Sequence, residues 1–328
     1  MKKPIIAITM GDPSGIGPEI ALKVISKKET YEICHPFVIG DPRVMEQTSQ
    51  TIGLHLQVNP ITDISVGRFL FSHIDILHPE GLSLQETHWG KLDPFMGKAA
   101  ALCLEKAFRM ALEKKIDGVV SAPLNKEAFH LAGYPYLDEL DYIGDLTHSQ
   151  EPFVMGVMGS IWTVAVTSHI PFRDIADMIK KERVFRYIYL MDQTLKKVGF
   201  VDPRIAVAAL NVHGGEGGLI GREEINEIRP AIEEAQKLNM KVHGPFPADT
   251  IFVRAVSGEF NGVVCMYHDQ ANIARKLHAN RRGATLYMGL PVICGTTAHG
   301  TAFDIAGKGI ADPGSMEDAL KYTVMLSL

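Results

Sequence analysis

No stretch of the chain approaches the ~18–20 uninterrupted apolar residues needed to cross a bilayer, so a membrane-spanning protein is not expected. Cysteine is scarce: Cys34, Cys103, Cys265 and Cys294 are scattered singly and form no CxxC pair. That spacing excludes a disulfide framework or a structural zinc knuckle and points to a reducing, cytoplasmic setting. The apolar run after Lys2-Lys3 is too short for a signal segment and meets Gly11-Asp12-Pro13 at once, which predicts a first strand instead. Basic charge is not in surplus, with 33 Lys and Arg against 38 Asp and Glu and a net charge of −5. A nucleic-acid partner is therefore not expected. The sequence also lacks a G-x-G-x-x-G fingerprint after a strand and a Gly-Lys-Ser/Thr P-loop. Internal repeats, low-complexity tracts and Pro/Gly/Ser linkers are absent too.

What remains is ordinary globular composition, 46% hydrophobic and 22% charged over 328 residues, a length suited to two lobes. Short β-branched runs alternate with helical patterns, the signature of an α/β protein with a largely parallel sheet. Strands are predicted at 4–9, 36–39, 116–121, 162–167, 204–210, 262–266 and 284–287, and helices at 18–27, 96–114, 173–181, 183–198, 222–237 and 302–307. The clearest helix is 96–114, where Ala100, Cys103, Leu104, Ala107, Ala111 and Leu112 recur near a 3.6-residue period. No linker marks a domain boundary, and both termini are expected to return to one lobe.

Five segments carry chemistry-bearing residues. The first is 11–19, GDPSGIGPE, between a predicted strand and helix. Pro18 suits a first helical position, Glu19 complements the helix dipole, and the glycines allow backbone to approach a ligand, although a plain Gly-rich turn accounts for the pattern as well. The second is a set of histidines, His169, His213 and His268, each following an apolar strand-like run. In a parallel sheet the strand carboxyl ends line the ligand crevice. Three imidazoles meeting there would suit Zn, Co or Mn, whereas a lone histidine is ordinarily a packed or surface residue.

The third segment is 298–313, where a small-residue turn around His299, Gly300, Thr301, Ala302 and Asp304 can approach a flat ligand or serve as a simple loop. In the fourth, a Pro-rich turn delivers Asp249. Together with Asp269 it is a candidate acid/base group or a partner for a metal-bound imidazole. The fifth, 271–282, concentrates Arg275, Lys276, Arg281 and Arg282, fit to neutralise a carboxylate or phosphate or to form a solvated helix face.

Taken in order, GDPSGIGPE, SAPLNKEAF, TSHIPFRDI, NVHGGEGG, PADT, MYHDQ and HGTAFDIAGKG, spanning residues 11–309, resemble the 4-hydroxythreonine-4-phosphate dehydrogenase family. The two end segments also resemble the wider β-decarboxylating dehydrogenases, such as isopropylmalate dehydrogenase. The resemblance implies a two-domain isocitrate/isopropylmalate dehydrogenase-like α/β fold with a cleft between the lobes. It further implies a homodimer whose subunits share each site, and NAD or NADP bound through Gly11 and the 299–304 segment. His169, His213 and His268 match the family's ligands for one divalent metal (Zn, Co, Mn or Mg), and Lys276 its substrate-contacting lysine. The implied reaction oxidises a hydroxyl β to a carboxylate and then decarboxylates the β-keto acid, with Asp249 or Lys276 as base.

The chain departs from the family pattern where substrate is bound. The family's His-Thr pair corresponds to Glu139 and Leu140, flanked by Asp138 and Asp141; an Asn corresponds to Thr285 and an Arg to Cys294. Losing an Arg removes a bidentate anion clamp and adding Glu139 opposes phosphate. A changed substrate is therefore expected, of the threonate or erythronate 4-phosphate kind or another hydroxy acid or diol, with Arg275, Arg281 or Arg282 replacing the lost charge. The alternatives are a true 4-hydroxythreonine-4-phosphate dehydrogenase and a non-catalytic ligand-binding homologue.

Overall fold

The computed structural model describes residues 3–54, 56–84, 87–159, 161–278 and 282–328. The chain divides into two compact units, one of Met1–Phe153 with Ala284–Leu328, the other of Val154–Gly283. Its first five strands are β1 (Ile5–Thr9), β2 (His35–Ile39), β3 (Gln57–Ile61), β4 (His73–Leu77) and β5 (Gly118–Ser121). Then come β6 (Phe153–Met158), β7 (Ile161–Thr167), β8 (Arg204–Ala208), β9 (Lys241–Phe246) and β10 (Gly262–Tyr267), and finally β11 (Ala284–Met288) and β12 (Cys294–Thr297).

In the first unit the strands run in the order β3-β4-β2-β1-β5-β12-β11. All neighbours are parallel except the β11/β12 pair, which is antiparallel. Parallel strands covered on both faces read as continuous apolar runs, and β1, Ile-Ile-Ala-Ile-Thr, is buried after its first residue. The helix Pro94–Leu112 packs over this sheet with Ala100, Cys103, Leu104, Ala107 and Ala111 buried. It starts where Asp93 caps it, its side chain accepting from the Phe95 N–H at 2.8 Å, with Pro94 at the first position, where a missing N–H costs nothing.

The second unit has the order β6-β7-β10-β8-β9, parallel apart from the antiparallel β6/β7 pair. Val263, Cys265, Ala206 and Ala208 meet Ile251 and Ala255 of the helix Ala248–Val256 in its core. Among the described residues no helix is long and apolar enough to cross a membrane.

Each predicted strand is present. The unpredicted ones include β3 and β9, which hold Pro60 and Pro245 and occupy an edge of their unit's sheet, where a missing N–H breaks no ladder. The helix predicted at 302–307 is replaced by turns, because Ala302, Gly307 and Gly309 adopt positive φ. The predicted 222–237 helix opens with one π turn, Glu224–Ile228, ahead of Arg229–Lys237. Pro230 lacks the N–H that a continuous α ladder would need there.

Candidate functional site

The second unit places the three singled-out histidines by a common rule. β7, β10 and β8 are parallel neighbours. His169 lies two residues beyond β7, His268 directly follows β10, and His213 lies five residues beyond β8. All three thus leave the carboxyl end of the same sheet. The His169 and His268 rings stand 6.0 Å apart between centroids. His268 Nδ1 faces Asp269 Oδ1 at 2.7 Å and His213 Nδ1 faces Glu216 Oε1 at 2.9 Å. A carboxylate oxygen only accepts, so each Nδ1 carries a hydrogen, which leaves Nε2 as the nitrogen that can face a metal.

In kind, this donor set fits a borderline divalent cation: imidazoles oriented by carboxylates are the usual pattern around such ions. In position it is incomplete. Among the described residues no three His, Cys, Asp or Glu side chains form a ligating group. Of the three imidazoles, those of His169 and His268 are neighbours.

The backbone around His213 is unusual. His213, Gly214, Gly215, Glu216 and Gly217 all have positive φ, between 46° and 80°, a left-handed turn that L residues adopt only under constraint. His169 is also left-handed, with φ 53°. Such strain concentrates at functional positions. The turn is anchored from behind by Glu224, which is 1% exposed. Its Oε1 accepts from the Leu210 and Asn211 N–H groups at 2.9 and 2.7 Å, and its Oε2 from Asn211 Nδ2 at 2.9 Å.

A cavity of about 540 Å³ opens beside this turn, with His213, Asp249, Asp269 and Tyr267 on its polar side and Phe252, Ile273 and Leu277 on its apolar side. That is a size suited to a small metabolite. Asp249 and Asp269, predicted as acid/base candidates, therefore share one wall with His213. Lys276 is exposed on the helix His268–His278 and does not line this cavity. Arg275 is not an open anion clamp: it is 7% exposed, and its Nη2 donates to Asn272 Oδ1 at 2.7 Å. A Cβ on Gly156 would sit 2.8 Å from its Nη1, so the glycine makes room for the guanidinium. Arg282 is exposed and Arg281 lies outside the described residues.

In the first unit, the two segments expected to cradle a cofactor meet. The Ile16 N–H donates to the Thr301 carbonyl at 3.0 Å, and a Cβ on Gly15 would lie 2.8 Å from Thr301 Cβ. Gly300 and Asp304 are exposed, His299 and Ala302 half-buried, and Thr301 buried. Space is open beyond Gly300, where a Cβ would meet nothing within 4 Å, as a loop receiving a flat ligand requires. Gly11 is a correction. It is buried, and a Cβ there would press to 2.5 Å on the Pro123 carbonyl oxygen, so it shapes the turn without offering surface. Burial pushes the Asp12 carboxyl up to about 6, against the N–H groups of Ser14 and Asn125 that bond it.

The divergent substrate positions are also rearranged. Asp138 caps the helix Glu139–Leu146, accepting from the Asp141 N–H at 2.9 Å, and Leu140 is buried. Glu139 is 7% exposed, with one oxygen accepting from the Ser121 hydroxyl and the other from the Tyr287 hydroxyl, the latter at 3.1 Å. Burial pushes its carboxyl up to about 7 despite both hydroxyls. Asp138 thus serves as a helix cap and Glu139 is a buried carboxyl. Cys294 is 1% exposed within the core and has no surface for a substrate. Thr285 pairs with Thr296 between β11 and β12 and is mostly buried. Ser121 and Tyr287 were not singled out from sequence. Only their contacts with Glu139, distant in the chain, bring them to notice.

Comparison with known proteins agrees with this architecture. The family described as pyridoxal phosphate biosynthetic protein PdxA matches residues 32–323. A Halalkalibacterium halodurans protein named "Putative D-threonate 4-phosphate dehydrogenase" is 41% identical over 320 residues, covering 98% of this chain and 96% of that protein. A solved 4-hydroxythreonine-4-phosphate dehydrogenase from Burkholderia phymatum is 39% identical, with TM-score 0.84 over 99% of both chains. More remotely, a β-decarboxylating dehydrogenase from Thermococcus kodakarensis shares the fold at 15% identity, with TM-score 0.51 over 96% of this chain and 80% of that one. The α/β fold is therefore shared with that β-decarboxylating dehydrogenase, and the chain belongs to the PdxA family.

Proposed function

We propose that this protein is a nicotinamide- and divalent-metal-dependent dehydrogenase that oxidises the hydroxyl β to the carboxylate of a four-carbon hydroxy-acid 4-phosphate, D-threonate 4-phosphate or a close isomer. The reaction class rests on the membership just stated and on the full-length likeness to dehydrogenases of hydroxy-acid phosphates. The observation that carries the reading is the placement of His169, His268 and His213 at the ends of three adjacent parallel strands, with Asp249 and Asp269 lining the cavity beside His213.

A divalent cation held by these imidazoles supplies charge that lowers the pKa of the substrate hydroxyl. Asp249, in the first turn of its helix and on the cavity wall, would accept the proton of the substrate hydroxyl; residues 299–304 would hold a nicotinamide cofactor, whose chemistry would be to accept hydride from the substrate. Asp269 and Glu216 fix the imidazole orientations. The β-keto acid product then loses CO₂. Lys276, exposed on its helix, contacts the substrate.

A homodimer belongs to the same proposal. That the three imidazoles do not close into one ligating group within a single chain supports a site completed by a second copy. So do the large apolar side chains left exposed around the cavity, Val212, Ile273 and Leu277, at 63%, 59% and 81%.

Glu139 supports a phosphorylated substrate more than its charge suggested from sequence, because a carboxyl raised to about 7 opposes phosphate weakly. Loss of the arginine at Cys294 still separates this pocket from that of 4-phosphohydroxythreonine. The test is nicotinamide reduction by the purified protein with D-threonate 4-phosphate, D-erythronate 4-phosphate, 4-phosphohydroxythreonine and unphosphorylated threonate, each with NAD or NADP and with Zn, Co, Mn or Mg. Highest kcat/KM on a hydroxy-acid 4-phosphate supports the reading. Highest kcat/KM on 4-phosphohydroxythreonine overturns the substrate, and no reduction with any of them overturns the enzyme.

A further inference from the structure

The helix Gly17–Ile25 carries an ion pair whose partners lie far away in sequence. Glu19 is 1% exposed, and Lys23 Nζ lies 2.7 Å from its Oε1. The same ammonium donates to the Gly309 carbonyl at 2.9 Å and to the Ala311 carbonyl at 2.7 Å. The same carboxylate accepts from the Gly309 N–H at 3.2 Å and from the Ala311 N–H at 2.8 Å. One i,i+4 pair thus satisfies both backbone groups of two alternate residues, as a neighbouring strand would. Residues 309–311 themselves lie outside the strands and helices of the described residues.

We infer that Glu19 and Lys23 are positioning residues for cofactor binding: they clamp the segment 309–311 and thereby fix the 299–304 loop at the height where it receives the nicotinamide cofactor. This rests on the cofactor reading proposed above. Between the two anchors the loop is held by its own turn hydrogen bonds, such as the Ile305 N–H to the Ala302 carbonyl at 3.1 Å, and by burial of Ala306 in the core. It is a chain of turns, with Ala302, Gly307 and Gly309 at positive φ. At its far end it is held by the Ile16 N–H on the Thr301 carbonyl. Both anchors therefore spring from one short stretch, residues 16–23, which explains in physical terms why GDPSGIGPE and HGTAFDIAGKG stand together in one chain. A charged pair is suited to the task because charge-assisted hydrogen bonds are short and directional, and burying Glu19 makes its loss costly.

The variants are Glu19→Gln, which keeps shape and removes the charge, Lys23→Met, which removes the ammonium, and Lys23→Arg, which restores charge and donors. Two measurements are made on the full-length protein, hydrogen exchange of the peptide covering 303–313 and kinetics with separate variation of NAD and of the hydroxy acid. The expected result is faster exchange in that peptide and a KM for NAD raised about tenfold, the scale of one lost charge-assisted bond. The kcat and the KM for the hydroxy acid stay within about twofold, and Lys23→Arg recovers most of the loss. Unchanged exchange in both Glu19→Gln and Lys23→Met overturns the clamp. Faster exchange with unchanged KM for NAD overturns its positioning role. An Asp304→Ala variant then assigns that failure: unchanged NAD binding there too means the cofactor reading has failed, and weakened binding means that only the clamp's role has.

Discussion

His213 Nδ1 and Glu216 Oε1 lie 2.9 Å apart across a tight left-handed turn of backbone. With φ and ψ near the mirror image of a 3₁₀ turn, three residues make one revolution, so side chains three apart fall over one another. A right-handed turn would send the imidazole elsewhere. Gly214, Gly215 and Gly217 remove the Cβ cost at three of the five positions, leaving His213 and Glu216 as the residues held there under strain.

The carboxylate therefore sets which imidazole nitrogen is free. Replacing Glu216 with Ala is expected to weaken binding of added Zn or Co by about ten- to a hundredfold, the usual consequence of losing such a partner. Calorimetric titration of metal-free protein measures this. Unaltered affinity would remove His213 from the ligand set.

Stability should fall as pH rises through a window set by Glu139. The folded protein holds that proton to about pH 7, whereas the ordinary carboxyl value is 4.5. Between those values the folded state binds more protons than the unfolded one, so the slope of unfolding free energy with pH is negative. Asp12, raised from 3.8 to about 6, adds the same sign over a lower range. Glu139→Gln should flatten the fall between pH 5 and 8 by on the order of 2 kcal/mol. Urea unfolding of both proteins across that range measures it, and parallel curves would show that Glu139 titrates normally.

Much of the frame could be read from sequence because its signals are local. The stripe through Ala100, Cys103, Leu104 and Ala107 marks a helix wherever it packs, and β1 announces itself as an unbroken apolar run. The strand ends that carry the histidines were legible for the same reason. β12 was not: Cys-Gly-Thr-Thr has weak strand character and becomes a strand because β5 and β11 flank it. The structural roles within the acidic stretch 138–141 were not legible, because charge suggests solvent or substrate. Asp138 three residues ahead of Asp141 is equally a helix-cap spacing, and what buries Glu139 comes from residues 121 and 287. Contacts over such separations leave no periodicity behind.

Gly97 offers a test of the packing itself. A Cβ there would lie 2.3 Å from the Ala128 carbonyl carbon and oxygen, backbone atoms of the helix Lys126–Leu131 that have no flexible end to move. Gly97→Ala should gain helix propensity yet lose about 1–3 kcal/mol overall through overpacking. The midpoint of urea unfolding reports the difference. A stabilised variant would mean that the two helices separate easily.

Asp249 is the residue on which the proposed chemistry turns. It lines the same cavity as His213 and Asp269, and its helix begins at Ala248. If it receives the hydroxyl proton, Asp249→Asn should lower kcat by about 10²–10⁴ while KM for NAD holds, since the cofactor segment belongs to the other unit. Metal affinity should also hold, which separates a base from a ligand. A variant that loses metal as well as turnover would make Asp249 a ligand. One that keeps near-normal kcat would return the role of base to Lys276, whose substitution by Met should then abolish turnover at neutral pH.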